Sequence, residues 1–152
     1  MAKHVCVTPG FEKLLVATDG SLFSKAAVQE AIMLARACSS TLYVLLVTEV
    51  NADIDLWDAQ AADKLEKDMR RYLEGIQAKA AKEGVKCETI LHLGNEPYKD
   101  IVSEAAKRKV KMIIMGSHGR TGLTRLMMGS VVSRVIGHAP CKVLVVPAKA
   151  NK

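Results

Sequence analysis

Five short apolar runs, separated by four segments long enough for a helix, constrain this chain more than any other feature. Lys13 to Thr18, Thr41 to Val47, Val85 to Leu91, Val110 to Met115 and Cys141 to Val146 read as strands. The first, Lys13-Leu14-Leu15-Val16-Ala17-Thr18, is mostly apolar, as expected for a strand buried on both faces. Val85 to Leu91 alternates apolar and polar residues and reads as an edge strand. The intervening segments carry helical spacing: Ala27, Ala31, Leu34 and Ala35 in about 22–38, and Leu65, Met69, Tyr72, Leu73, Ile76 and Ala80 in about 59–83. Ile101, Val102 and Ala105 do the same in 98–108, and a short helix is expected from Ser130 to Gly137. Asp19 or Ser21 is placed to cap the first helix, and Gly84 to close the second. Strict alternation of strand and helix predicts an α/β fold: an open, doubly wound, five-stranded parallel sheet with helices on both faces.

The fourth strand leads into Met115-Gly116-Ser117-His118-Gly119-Arg120-Thr121-Gly122, and this loop runs on to Gly129-Ser130 at a helix entrance. Glycines let backbone N–H groups approach an anion closely, and the free N–H groups of a helix N-terminus complete such a cradle. Ser130 adds a hydroxyl there. The spacing is G-x2-G-x9-G-S, which is neither a Walker A loop nor G-x-G-x-x-G. Glycines also mark ordinary surface turns, so the loop alone leaves that reading open.

Composition narrows the classes. A chain of 152 residues suits one domain, with residues 1–12 as an extension and 148–152 as a polar tail. Half the residues (49%) are hydrophobic, yet no apolar run approaches the ~20 residues of a membrane span. The first residues lack a sustained apolar region, so no signal peptide is expected. Cys6, Cys38, Cys87 and Cys141 show neither C-x-x-C nor zinc spacing, which fits a reducing cytoplasm. The net charge of +6 would suit nucleic acid, but the basic residues are dispersed among acids and no aromatic platform lies among them.

The glycine-serine pattern and its setting, from about Lys13 to Val146, resemble the ATP-binding branch of the universal stress protein family. The resemblance implies strand order 3-2-1-4-5. The first and fourth strands would then be neighbours with a crevice at their carboxyl ends, where ligands of open α/β sheets bind. It implies that Asp19 serves the adenosine end of a nucleotide and that Val47 offers backbone atoms to the adenine. Met115 and Gly116 would line the ribose and phosphate approach, and Gly119, Gly129, Ser130 and Val131 would form the phosphate cradle. Arg120 and Arg125 would either reach phosphates or remain solvated loop charges. Two departures stand out: Ala17, at the adenine edge, replaces a frequent proline, and Val110-Lys111 replaces a frequent Ala-Asp.

The expected ligand is ATP or another adenine nucleotide, with Mg2+ bound through its phosphates. The expected function is nucleotide binding in stress response or signalling. A slow ATPase or phosphotransferase is the alternative, and nucleic-acid binding ranks third. Phosphoryl transfer needs metal ligands and a positioned nucleophile. Asp19 is the one carboxylate in the motif set, and His118 has no carboxylate beside it there, so no catalytic residue is assigned. The fifth strand, Lys142 to Val146, would lie at an edge with four apolar residues in a row, and is expected to pair in a homodimer.

Overall fold

The structure, a computed structural model, describes residues 6–49, 58–118 and 129–148. Its elements run β1 (Lys13–Thr18), α1 (Leu22–Cys38), β2 (Thr41–Glu49), α2 (Ala59–Lys82), β3 (Lys86–Gly94), α3 (Pro97–Arg108), β4 (Met112–Gly116), α4 (Ser130–His138) and β5 (Lys142–Val146). The strands form one parallel sheet in the order β3-β2-β1-β4-β5. That is the order the family resemblance implied.

Central strands alternate their side chains between two cores. Leu14 and Val16 of β1, with Leu42, Val44 and Leu46 of β2, pack against α1 and α2. Leu15 and Ala17, with Tyr43, Leu45 and Val47, pack against α3 and α4. Both faces of β1 are therefore covered, and Leu14, Leu15 and Val16 are fully buried. This is the physical reason for an unbroken apolar run in that strand.

The helices end where local chemistry stops them. Asp58 caps α2 by accepting from the N–H groups of Gln60 (3.0 Å) and Ala61 (3.3 Å). Past its end Gly84 takes φ +74°, a conformation glycine adopts at low cost. Ser39 and Lys109 take the same left-handed conformation after α1 and α3.

Several boundaries differ from the sequence expectation, and the largest differences have local causes. β2 and β3 run on together through Val47–His92, Thr48–Leu93 and Glu49–Gly94, because the parallel ladder continues past the point where hydropathy alternation fades. β4 begins at Met112 instead of Val110, since the Val110 N–H is drawn back to the Ala105 carbonyl as α3 closes. The N-cap of α1 is Ser21 by backbone, yet its hydroxyl makes no cap bond; the Asp19 carboxylate takes the Ser21 N–H instead (2.9 Å).

Candidate functional site

β1 leads into α1 on one face of the sheet, whereas its neighbour β4 leads toward α4 on the other. The two chains part at their carboxyl ends and leave a crevice between them. Asp19 is the first residue beyond β1, and Gly116 is the last of β4. Val16 lies beside Ile114, so Met115 and Gly116 are level with the last two residues of β1. Thr18 lies beside Leu46, so Val47 is one step further along the same edge.

Ala17, Val47 and Met115 are buried and share the core facing α3 and α4. They give that side of the edge an apolar surface. By strand alternation Thr18 and Thr48 belong to the opposite side, toward α1 and α2. There the hydroxyls gather. Thr18 Oγ1 lies 2.7 Å from Ser24 Oγ, 3.3 Å from the Tyr72 hydroxyl, and accepts from the Gly20 N–H at 3.1 Å. Among the described residues, Ser21 Oγ and Thr48 Oγ1 are buried at this end with no hydrogen-bond partner, as is Ser40 Oγ at the amino end of β2. Unpaired buried hydroxyls are costly, so two at the crevice end are notable.

Gly116 sits in tight space. A Cβ there would meet the carbonyl oxygen of Phe23 at 3.2 Å and that of His118 at 3.5 Å, so β4 ends tight against the first turn of α1. The next residue is anchored twice. The Ser117 N–H donates to the Val146 carbonyl (3.0 Å), and the Gly129 N–H donates to the Ser117 carbonyl (2.9 Å). Through that second bond the entrance of α4 returns to the end of β4. Gly129 is the N-cap of α4, with Ser130 and Val131 as its first two helical residues. The cap position thus falls one residue before Ser130, and the Ser133 hydroxyl ties down the Gly129 carbonyl at 3.0 Å. Ser130 is exposed and Val131 half-buried. The predicted residues Gly119 and Arg120, like Trp57, Arg125, Met127 and Met128, lie outside the described residues.

Sequence reasoning missed the hydroxyl group of residues. Thr18, Ser21 and Ser24 recur at every third position, a spacing that could have flagged them; Tyr72 was hidden in the apolar stripe of α2. It also missed a charged network at the β3 edge. Glu104, nearly buried, accepts from Arg108 Nε (2.8 Å) and from His92 Nε2 (3.0 Å), and Arg108 lies over the Tyr43 ring at 4.8 Å. Burial pushes the Glu104 carboxyl up, but hydrogen bonds from Arg108 and His92 outweigh it and hold the group below its ordinary value. Burial pushes the Cys87 thiol up to about 11 and raises Cys141 as well, so both remain thiols near neutral pH. Among the described residues no group of three or more His, Cys, Asp or Glu could hold a metal ion, and no helix is long and apolar enough to cross a membrane.

An open parallel sheet with a carboxylate, a close-packed glycine and a helix entrance at its switch point defines the class: a doubly wound α/β protein, in which ligands bind at such a switch point. The model of the universal stress protein family matches residues 10–147. The universal stress protein MJ0531 of Methanocaldococcus jannaschii is 35% identical over 141 residues, covering 90% of this chain and 82% of the relative. This chain therefore belongs to the universal stress protein family. Among solved structures, that of MJ0577 from the same archaeon superposes with a TM-score of 0.81 at 28% identity, over 93% of this chain and 99% of its own. A universal stress protein in complex with cAMP gives 0.68 at 23% identity, over 91% and 98% of the two chains. The universal stress protein of Archaeoglobus fulgidus in complex with dAMP gives 0.64 at 23% identity, over 89% and 97%.

Proposed function

We propose that this chain binds an adenine nucleotide, ATP foremost, in the crevice between the ends of β1 and β4, and acts in stress response or signalling. The observation that carries the reading is the Gly129 N–H to Ser117 carbonyl bond, which brings the entrance of α4 back to the end of β4, next to the Asp19 turn. Asp19 would hold the adenosine end, with Ala17, Val47 and Met115 as the apolar surface for the base. Gly116, Gly119, Gly129, Ser130 and Val131 would present backbone N–H groups and a hydroxyl to the phosphates, with Arg120 as a cation beside them. Mg2+ would arrive on the phosphates, as it commonly does. The cAMP and dAMP bound by two proteins of the same fold support an adenine nucleotide as the ligand class. We read residues 1–152 as one domain, working in the cytoplasm and pairing through β5 as a homodimer.

Gly129→Val tests the cradle. A branched side chain at the helix entrance would stand where phosphate oxygens approach the backbone. Calorimetric titration should show ATP affinity reduced at least tenfold, about 1.4 kcal/mol, with circular dichroism unchanged. Unaltered affinity in the folded variant would remove the cradle assignment. Steady-state hydrolysis above ~1 s−1 that disappears in the same variant would make the protein an enzyme rather than a binder.

A further inference from the structure

Helix α2 belongs to the wall of the sheet and supplies none of the residues assigned to the nucleotide, yet one of its side chains reaches the carboxyl end of β1. Tyr72 lies midway along α2, and its hydroxyl is 3.3 Å from Thr18 Oγ1, the last side chain of β1. Counting protons fixes the direction of every bond in this group. The Ser24 hydroxyl donates to the Ser21 carbonyl (2.9 Å), because a carbonyl can only accept. Ser24 has then spent its single proton, so at 2.7 Å Thr18 must be the donor and Ser24 the acceptor. Thr18 has likewise spent its proton, so the Tyr72 O–H donates to Thr18. The Gly20 N–H is the second donor to Thr18 Oγ1 (3.1 Å). The result is a one-way chain from Tyr72 to Thr18, to Ser24 and to the Ser21 carbonyl.

This chain encloses the turn Asp19-Gly20-Ser21. Thr18 holds the Gly20 N–H, and Ser24 holds the Ser21 carbonyl with both its hydroxyl and its N–H (3.3 Å). Within that frame the Asp19 carboxylate takes the Ser21 N–H. The frame thus holds the backbone turn that carries Asp19. Gly20, at φ +79°, supplies the left-handed bend. Thr18 and Ser24 are each 4% exposed, so solvent does not substitute for a lost member.

We propose that Tyr72 is a positioning residue for the nucleotide site, acting through Thr18 on the Asp19 turn, so that the seating of α2 on the sheet tunes affinity for the adenosine end. The inference rests on the assignment of Asp19 to the nucleotide. Tyr72→Phe keeps the ring and removes the donor. By calorimetric titration it should weaken ATP about fivefold, the order of one hydrogen bond. Thr18→Val, which removes the hub, should weaken it more. Ile76→Val, a core trim on the same helix outside the hydroxyl chain, should leave affinity unchanged and so control for general loosening of α2.

The decisive measurement is a double-mutant cycle with Asp19→Ala. If Tyr72 acts through Asp19, Tyr72→Phe has no further effect once Asp19 is gone. An equal fivefold loss in both backgrounds, or a loss matched by Ile76→Val, would mean that Tyr72 only stabilises the fold. Wild-type binding with no effect of Tyr72→Phe overturns this inference alone. Absence of ATP binding by the wild type overturns the nucleotide site and this inference with it.

Discussion

β3 and β5 are both edge strands of the same sheet, and they meet their surroundings in opposite ways. β3 exposes Lys86 and Glu88, and its outer region is tied to neighbouring helices by polar side chains. The Gln77 amide of α2 donates to the Cys87 carbonyl (3.1 Å). Arg108 of α3 reaches Glu88 (3.4 Å) and Glu104, and Glu104 in turn holds His92. β5 has one exposed charge, Lys142, followed by Val143, Leu144, Val145 and Val146, all half-buried. Charges along an edge and side chains covering its backbone discourage strand addition; a bare apolar row invites it. Among the described residues the β3 edge carries polar ties to two helices, whereas at β5 Lys142 reaches the Gly10 carbonyl (3.3 Å) and the Phe11 ring, and the proposed homodimer would use the apolar row beyond it. The β5 edge also adjoins the proposed site, since the Val146 carbonyl holds the Ser117 N–H just before the glycine-rich loop.

The largest effect is expected at β5. Leu144→Lys places a charge in the middle of the apolar row. Light scattering behind a sizing column should find a wild-type dimer at tens of micromolar and a monomeric variant, a weakening of at least a hundredfold or about 2.8 kcal/mol. A wild-type monomer with or without ATP would break the comparison, since β5 would then be no more a pairing edge than β3.

A smaller effect is expected at the guarded edge. Glu104→Ala leaves Arg108 and His92 without their nearly buried acceptor, which should cost about 2–3 kcal/mol of folding stability. The melting temperature should drop by about 5–10 °C for a chain of this length. The acid dependence sharpens the assignment. Because the folded carboxyl is held below its ordinary value, its ionised form stabilises the fold. That contribution is complete above the unfolded carboxylate value of about 4.3 and is lost as pH falls through the folded one. Urea melts of wild type and Glu104→Gln should therefore converge between pH 7 and pH 3. A gap of constant size would assign Glu104 a packing role only.

The smallest effect is expected from Gln77→Ala. It uncovers one backbone carbonyl on β3 and should cost no more than about 1 kcal/mol. Hydrogen exchange should quicken along β3 and stay unchanged along β5. If the variant instead gained an association that the wild type lacks, a single amide would be what keeps the β3 edge from pairing.

Periodicity determined the elements themselves. Apolar runs of strand length, helical stripes and glycine at the end of α2 suffice to place five strands and four helices to within three residues at each end, because burial on one or two faces writes itself into hydropathy. The wet alternation of β3 was likewise legible as an edge, whereas the dry row of β5 became an edge only through the strand order. Strand order was not in the periodicity. It came from the family pattern, because hydropathy says that a strand is buried but never which strand lies beside it. The candidate site was legible as a glycine spacing with a following helix and an aspartate after the first strand; Gly119 and Arg120 lie outside the described residues. Only the tertiary structure decided what surrounds that aspartate. Tyr72 stands 54 positions from Thr18, and its stripe position marks it as core. Its ring is indeed packed against the core, and the polar function lies in one oxygen at the ring's tip, whose partner is fixed by the docking of α2 across the sheet. The same limit hid Glu104: a charged residue in a helix reads as solvent-facing until the fold brings His92 from β3 to meet it. Local sequence encodes burial and turn chemistry; pairing between distant polar atoms is set by the geometry of packed layers.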